Sequence, residues 1–309
     1  MWPTLTSRPV ASNLNFQAGQ TVPNLVVAKV GGNGQVSIYN FGGTVHVVAD
    51  VEGYYDDGTV GGGQYHPVTP VRVLDTRSGT GVAPGAVGPG QALHLQVAGL
   101  DGVPLGTANA VVLNVTVTGP TAPGFMTVYP DGVSRPLASN LNFSPGQTVP
   151  NLVMVKVSAD GWVDFYNNSG STQVVADLAG WYDSGGTSGT RFNPLKPTRV
   201  LDTRSGVGSP VQPVASSTPI RVHLAGVDGI PVGAQAVVLN VTVTNPTVEG
   251  FLTVYPSDAG PPLASNLNFL AGQTVPNLVV VKLSPDGWAT FSNAAGTTDV
   301  VADVAGWFS

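Results

Sequence analysis

The sequence contains no cysteine, which excludes disulfide staples, thiol nucleophiles and thiolate metal sites and leaves the redox compartment undetermined. Charge is scarce as well. Asp, Glu, Lys and Arg together make up 10% of the chain, where a soluble domain averages roughly 25%. Lys and Arg number only 12 against 18 Asp and Glu, and they form no basic stretch. Nucleic acid is therefore not an expected partner, because binding phosphates needs grouped cations. No apolar run reaches the length of about 18 residues that a membrane-spanning helix requires, so no membrane insertion is expected. What the chain has in quantity is Gly (40) and Pro (26), set among Val-rich patterned segments, with 42% apolar residues overall. That combination describes a folded β protein with many turns.

The dominant signal is internal repetition. Ser-Asn-Leu-Asn-Phe begins at Ser12, Ser139 and Ser265, spacings of 127 and then 126 residues. Gly-Gln-Thr-Val-Pro-Asn-Leu-Val follows each copy, from Gly19, Gly146 and Gly272, and Val-Val-Ala-Asp then ends at Asp50, Asp177 and Asp303. Arg-Val-Leu-Asp-Thr-Arg-Ser-Gly occurs from Arg72 and Arg199, and Ala-Val-Val-Leu-Asn-Val-Thr-Val-Thr from Ala110 and Ala236. A period of this length is that of a whole domain. The linker-like stretches 56–63 and 183–189 occupy equivalent places. Cutting there gives full β modules at 59–184 and 185–309, and leaves 1–58 as the C-terminal half of a module. Met1-Trp2-Pro3 stands where Val128-Tyr129-Pro130 and Val254-Tyr255-Pro256 stand later. The expectation is that the half module was either cut from a longer protein or is completed by something else.

Val111, Leu113, Val115 and Val117 alternate with Val112, Asn114, Thr116 and Thr118, the period of two that marks a half-buried strand. Phe125 to Tyr129 follows after a Gly/Pro turn, and Leu152 to Val157 is apolar enough for a more deeply buried strand. Asp160-Gly161 and Asp286-Gly287 are turn dipeptides that open strands at Trp162 and Trp288. No segment carries a capped helical stripe. Each full module is thus expected to be all-β, an antiparallel sandwich-like unit of about eight strands. A weak internal echo, Phe125 with Trp162 and Asn140 with Asp177, leaves a β-trefoil or β-prism as the alternative.

Candidate functional residues are those that recur. His46, His66, His94 and His223 occupy non-equivalent positions, and no nucleophile elbow, zinc-protease motif or phosphate loop is present. No enzymatic activity, cofactor or metal is therefore expected. Asp75 with Arg77, and Asp202 with Arg204, sit two apart on one strand face and are expected to pair structurally. Asp50, Asp177 and Asp303 interrupt apolar strands and each requires a partner, a turn or a neighbouring backbone being the expected one. Asn140 and Asn266 belong to a recurring polar stripe whose amides suit either hydroxyl-rich ligands or strand-edge satisfaction. The aromatics Trp162, Trp288, Trp181, Trp307, Tyr54, Tyr129 and Tyr255 lie near turns and strand ends. There they either stack on sugar rings, with avidity from repetition, or plug the ends of the core.

Pro-Thr-Arg-Val-Leu-Asp-Thr-Arg at 197–204 and Val-Val-Ala-Asp-Val-Ala-Gly-Trp at 300–307 resemble repeats of large secreted or surface proteins of actinomycetes. The resemblance covers essentially the whole chain. It implies an extracellular or cell-surface location and modular use, with no established activity. Two functions are expected to compete. One is adhesion to polysaccharide or cell-wall glycan. The other is a structural subunit of a fibre or surface layer, self-associating head to tail through the incomplete first module.

Overall fold

A computed structural model describes residues 1–56, 61–186 and 188–309. The expected boundary at Asp57–Val60, and Thr187 in the second linker-like stretch, lie outside the described residues. Among the described residues the chain is all-β, with no helix.

The first complete sandwich is built from β3 (Tyr65–Asp75), β4 (Gln91–Gln96), β5 (Ala108–Thr118), β6 (Gly124–Pro130), β7 (Leu141–Phe143), β8 (Val149–Lys156), β9 (Trp162–Asn167) and β10 (Gln173–Asp183). They follow two short strands, β1 (Trp2–Pro3) and β2 (Val36–Ser37). The order β3-β10-β5-β8 makes one antiparallel sheet and β4-β9-β6-β7 the other. The second sandwich repeats the plan with β11 (Phe192–Asp202), β12 (Val214–Ala215), β13 (Ile220–His223), β14 (Ala236–Thr244), β15 (Gly250–Pro256), β16 (Leu267–Phe269), β17 (Val275–Lys282), β18 (Trp288–Asn293) and β19 (Thr297–Phe308). Its sheets are β11-β19-β14-β17, with β12 on β19, and β13-β18-β15-β16. Two facing sheets per module, and not a trefoil or prism, is the architecture.

Within each sandwich the apolar set of one sheet faces that of the other. Val111, Leu113, Val115 and Val117 of β5 pack with Met126, Val128, Phe165 and Val174. Val237, Leu239, Val241 and Val243 of β14 do the same with Leu252, Val254 and Phe291. The turn glycines Gly161 and Gly287 adopt φ of 96° and 85°, a backbone that favours glycine. The outer face of β5 departs from the half-buried expectation: Val112, Asn114 and Thr116 are buried too. The reason is a third apolar cluster lying between the sandwiches. It joins Tyr65, Val112, Leu152 and Ala179 to Ala236, Val238, Leu278, Val280, Ala305 and Phe308, with Leu25, Val27 and Tyr55 of the first segment against it.

Residues 1–56 keep the register of the modules where they pair at all. Trp2 faces Ser37, as Tyr129 faces Asp164 and Tyr255 faces Thr290.

Candidate functional site

The three Thr-Val-Pro-Asn-Leu phrases place an Asn inside an apolar run, which is a strand in the second and third copies, at Asn151 of β8 and Asn277 of β17. A buried amide needs partners, and these Asn side chains find them in one another's modules. Asn151 Oδ1 accepts from Leu25 N at 3.1 Å, Asn277 Oδ1 from Leu152 N at 3.2 Å, and Asn24 Oδ1 from Leu278 N at 3.0 Å. The three bonds run head to tail and close on themselves, so the equivalent segments are related by a pseudo-threefold arrangement. Each amide also donates to its own module, to Asn140 O, Asn266 O and Asn13 O at 2.6–2.7 Å.

A second layer widens the interlock. Asn277 Nδ2 donates to Asn114 Oδ1 at 2.8 Å and Asn24 Nδ2 to Asn240 Oδ1 at 3.0 Å. Asn114 and Asn240 donate in turn to Ser265 O and Ser12 O, both at 2.5 Å. Ser265 N donates to Asp177 at 3.1 Å, and Ser12 N to Asp303.

The sequence points to a turn or a neighbouring backbone as the partner of these aspartates; the backbone bonds are there, but an arginine is the main partner of each. Arg72 grips Asp177 with Nε to Oδ1 at 2.8 Å and Nη2 to Oδ2 at 3.2 Å. Arg199 grips Asp303 at 2.9 and 3.2 Å. This two-pronged geometry is the strong form of a charge-assisted bond. Burial raises the pKa of both aspartates against the pull of their arginines. Asp75 and Asp202 continue the network. Arg77 donates to Asp75 at 2.7–3.0 Å and Arg204 to Asp202 at 2.8–3.1 Å. The bonds from Arg77 and Arg204 bring the pKa values of Asp75 and Asp202 down to about 2.

Around the same axis stand Tyr55, Tyr182 and Phe308, one from each copy, with centroids 6.2, 6.2 and 6.5 Å apart. Tyr65 wedges between Tyr182 and Phe308, at 5.0 and 4.4 Å. Its equivalent Phe192 wedges between Tyr55 and Phe308, at 4.4 and 5.2 Å. Gly180 and Gly306 make room for these wedges: a Cβ at either position would fall 2.3–2.4 Å from the Tyr65 or Phe192 ring.

The third junction differs. Glu52 stands where Ala179 and Ala305 stand in the other copies. Its carboxylate accepts from Asn140 Nδ2 at 2.5 Å and from Met154 N at 3.3 Å. The residue as a whole is exposed, but burial around its carboxyl group pushes the pKa up to about 7 against those two bonds. Asp50 is exposed and joins no ion pair among the described residues.

The other sequence candidates scatter. Tyr129 and Tyr255 are buried, as are Asn140 and Asn266, so none of the four is free to meet a ligand. Tyr129 and Tyr255 alternate along their strands with the core residues Val128 and Val254, while Asn140 and Asn266 stand just before β7 and β16 and accept from Val128 N and Val254 N, both at 2.7 Å. Trp181 stacks on His66, centroids 3.9 Å apart and nearly parallel, and Trp307 packs against the second core. Trp288 lies against His223 and under Arg221. Trp162 is half-buried, and Tyr54 is exposed. Two shallow clefts, of about 240 and 310 Å³, open on the surface of the described residues. The larger one runs between Trp181 and the loop 99–104.

One group of described residues brings three ligand-type side chains together: His94, Asp131 and Asp164. His94 Nδ1 lies 2.7 Å from Asp164 and 3.1 Å from Asp131. Ligands on a zinc ion with bonds of about 2.0–2.1 Å stand farther apart than this, so the geometry is that of an ion pair. Burial opposes the charge on His94, but the two carboxylates outweigh it and raise its pKa. The second module has Arg221, Ser257 and Thr290 at the equivalent places, with Ser257 and Thr290 bonded to each other at 2.8 Å.

The Asn of the Pro-Asn-Leu phrase is the functional residue that repetition alone does not single out. The signal was present: a polar residue inside an apolar run in all three copies.

No family model matches the chain, and no curated protein matches it. Among solved structures, the PBSX exported protein XepA aligns over 84% of this chain and 99% of its own, at 12% identity and a TM-score of 0.24. The STIV MCP aligns over 80% and 96%, at 8% identity and 0.21. The T=3 Penaeus vannamei nodavirus structure aligns over 88% and 99%, at 12% identity and 0.19. Likeness at this level carries no argument about function.

Proposed function

We propose that this chain is a non-catalytic structural protein of the extracellular space or cell surface, in which repeated β-sandwiches lock side by side into a rigid threefold block. The observation that carries the reading is the closed ring of Asn24, Asn151 and Asn277. Modules that serve only as beads on a string need no buried, cyclic polar network between them, and such a network fixes one mutual arrangement. The scarcity of charge and of cationic clusters suits an extracellular setting.

Small-angle scattering tests it. The intact chain is expected to scatter as one compact body, and Asn277→Ala to scatter as loosened modules with a larger radius of gyration. An extended, flexible profile for the unaltered chain refutes the reading.

A second reading, adhesion to glycan, is favoured by one observation: the Trp181 cleft pairs an aromatic edge with a loop. It predicts retention on chitin, cellulose or peptidoglycan that Trp181→Ala removes. Equal retention of the two proteins, or none, sinks it.

A further inference from the structure

Residues 46–56 repeat β10 and β19, which are interior strands. β10 lies between β3 and β5, and β19 between β11 and β14. Residues 46–55 pair with no strand among the described residues. Their side chains show the result. Val48 and Val51 are 85% and 90% exposed, whereas their equivalents Val175 and Leu178 are 4% and 1% exposed. The strip is thus an unpaired apolar segment where the repeats carry an interior strand, with free backbone groups of the kind that recruit another strand.

The repeats specify what fits it. Asp50 is the equivalent of Asp177 and Asp303, each of which is held by an arginine from the strand beside it. Asn151 is the equivalent of Asn24 and Asn277, whose Nδ2 groups each donate to an Asn of the neighbouring module. Asn151 Nδ2 donates to Asn140 O and makes no such bond among the described residues. Tyr55 and Tyr182 flank the side of the aromatic triangle that carries no wedge. Gly53 beneath that side has nothing within 4 Å of a built Cβ, where Gly180 and Gly306 press on Tyr65 and Phe192. Charge, amide and ring therefore point to one occupant.

We propose that this face binds a polypeptide segment built on the pattern of residues 61–123. An aromatic in the place of Tyr65 would cover Gly53. An arginine in the place of Arg72 would grip Asp50, and an asparagine in the place of Asn114 would meet Asn151 and Ser139 O. The proposal rests on the structural reading above and narrows it to a partner. A second copy of this chain is the poorer occupant, because its own segments of this pattern are already paired on both sides of β10 and β19. Donating them would open a finished sandwich.

The test mixes the full chain with a separately produced copy of residues 61–123 and follows complex mass and amide exchange. A one-to-one complex is expected, with exchange at Val47–Val51 slowed by about 10-fold or more. Arg72→Ala in the segment, or Gly53→Leu in the chain, is expected to weaken binding by about 10-fold or more, the effect of an unpaired buried carboxylate or a blocked ring seat. A fusion of residues 61–127 ahead of Met1 covers the case in which the segment does not fold alone, and should protect the same amides. Absence of protection in both formats, with Leu152 and Leu278 amides still slow, overturns this proposal and leaves the structural reading standing. Fast exchange at Leu152 and Leu278 in the unaltered chain overturns both. Binding by both variants as tight as that of the unaltered pair, or a dimer of the chain that protects Val47–Val51 without any segment, also overturns the proposal.

Discussion

Replacing Asn277 by alanine probes the interlock where it is most complete. The side chain accepts from Leu152 N at 3.2 Å and donates to Asn114 Oδ1 at 2.8 Å and Asn266 O at 2.7 Å, and all of these residues are buried. The substitution strands up to three polar groups, each costing about 1–3 kcal/mol when buried without a partner. Partial relaxation among neighbours that share one network makes the costs less than additive, so the expected loss is about 3–5 kcal/mol. Asn151 makes two such bonds, and Asn151→Ala is expected to cost about 2–3 kcal/mol. Asn24 makes three but is only half-buried, and water can replace its partners. Asn24→Ala is expected to cost about 1–2 kcal/mol. Denaturant unfolding followed by Trp fluorescence gives the order. Amide exchange at Leu152 adds a local reading that does not depend on two-state behaviour in a multi-module chain. A loss below about 1 kcal/mol for Asn277→Ala, or an Asn24→Ala that costs as much, would refute the claim that these bonds hold the modules together.

Arg72→Ala should destabilise by roughly 3–5 kcal/mol by leaving Asp177 buried and unpaired, and Arg72→Lys should recover only part of it, since lysine lacks the fork; equal stability of the lysine variant and the native chain by thermal unfolding counts against the two-pronged grip. Gly180→Ala and Gly306→Ala should each cost about 1–3 kcal/mol by forcing the Tyr65 or Phe192 ring aside, while Gly53→Ala, facing open space, should be near neutral in the same melts. Asp75 and Asp202 have folded pKa values lowered to about 2 from 3.8, so their contribution is full above pH 3.8 and is lost as pH falls toward 2; acid unfolding should shift to higher pH in Arg77→Ala. Glu52 has the opposite sign. Its folded value is raised to about 7 from 4.5, so docking of residues 1–56 is favoured below pH 4.5 and weakens as pH rises through about 7. Exchange at Leu25 measured across that range should show the trend, and Glu52→Gln should flatten it.

The fold was legible because its signals are local. Val111 to Thr118 announced a strand by alternation, Asp160-Gly161 announced a turn, and the repeated phrases announced equal modules. The pairing of Asp75 with Arg77 spans two residues and needed no knowledge of tertiary structure. What stayed hidden depends on contacts between modules. Asn114 reads as the solvent side of a half-buried strand until the next module is laid over it, and its acceptor Ser265 is 151 residues away. Glu52 looks like an ordinary surface carboxylate because the equivalent positions are alanines that attract no notice. Tyr129 and Tyr255 looked like ligand platforms because aromatic residues near turns suit both a core plug and a sugar stack, and periodicity alone does not say which.

The ring of Asn24, Asn151 and Asn277 closes after three steps, and closure sets a counting rule. A contact repeated head to tail either continues indefinitely or returns to its start, and here it returns. A longer array of these repeats would therefore be parsed into triplets, each sealed against the next, in place of one continuous rod. Gaining or losing a single repeat would shift the grouping of every triplet after it, much as a one-base insertion shifts a reading frame. Arrays of this kind should tolerate changes in length by threes far better than by ones.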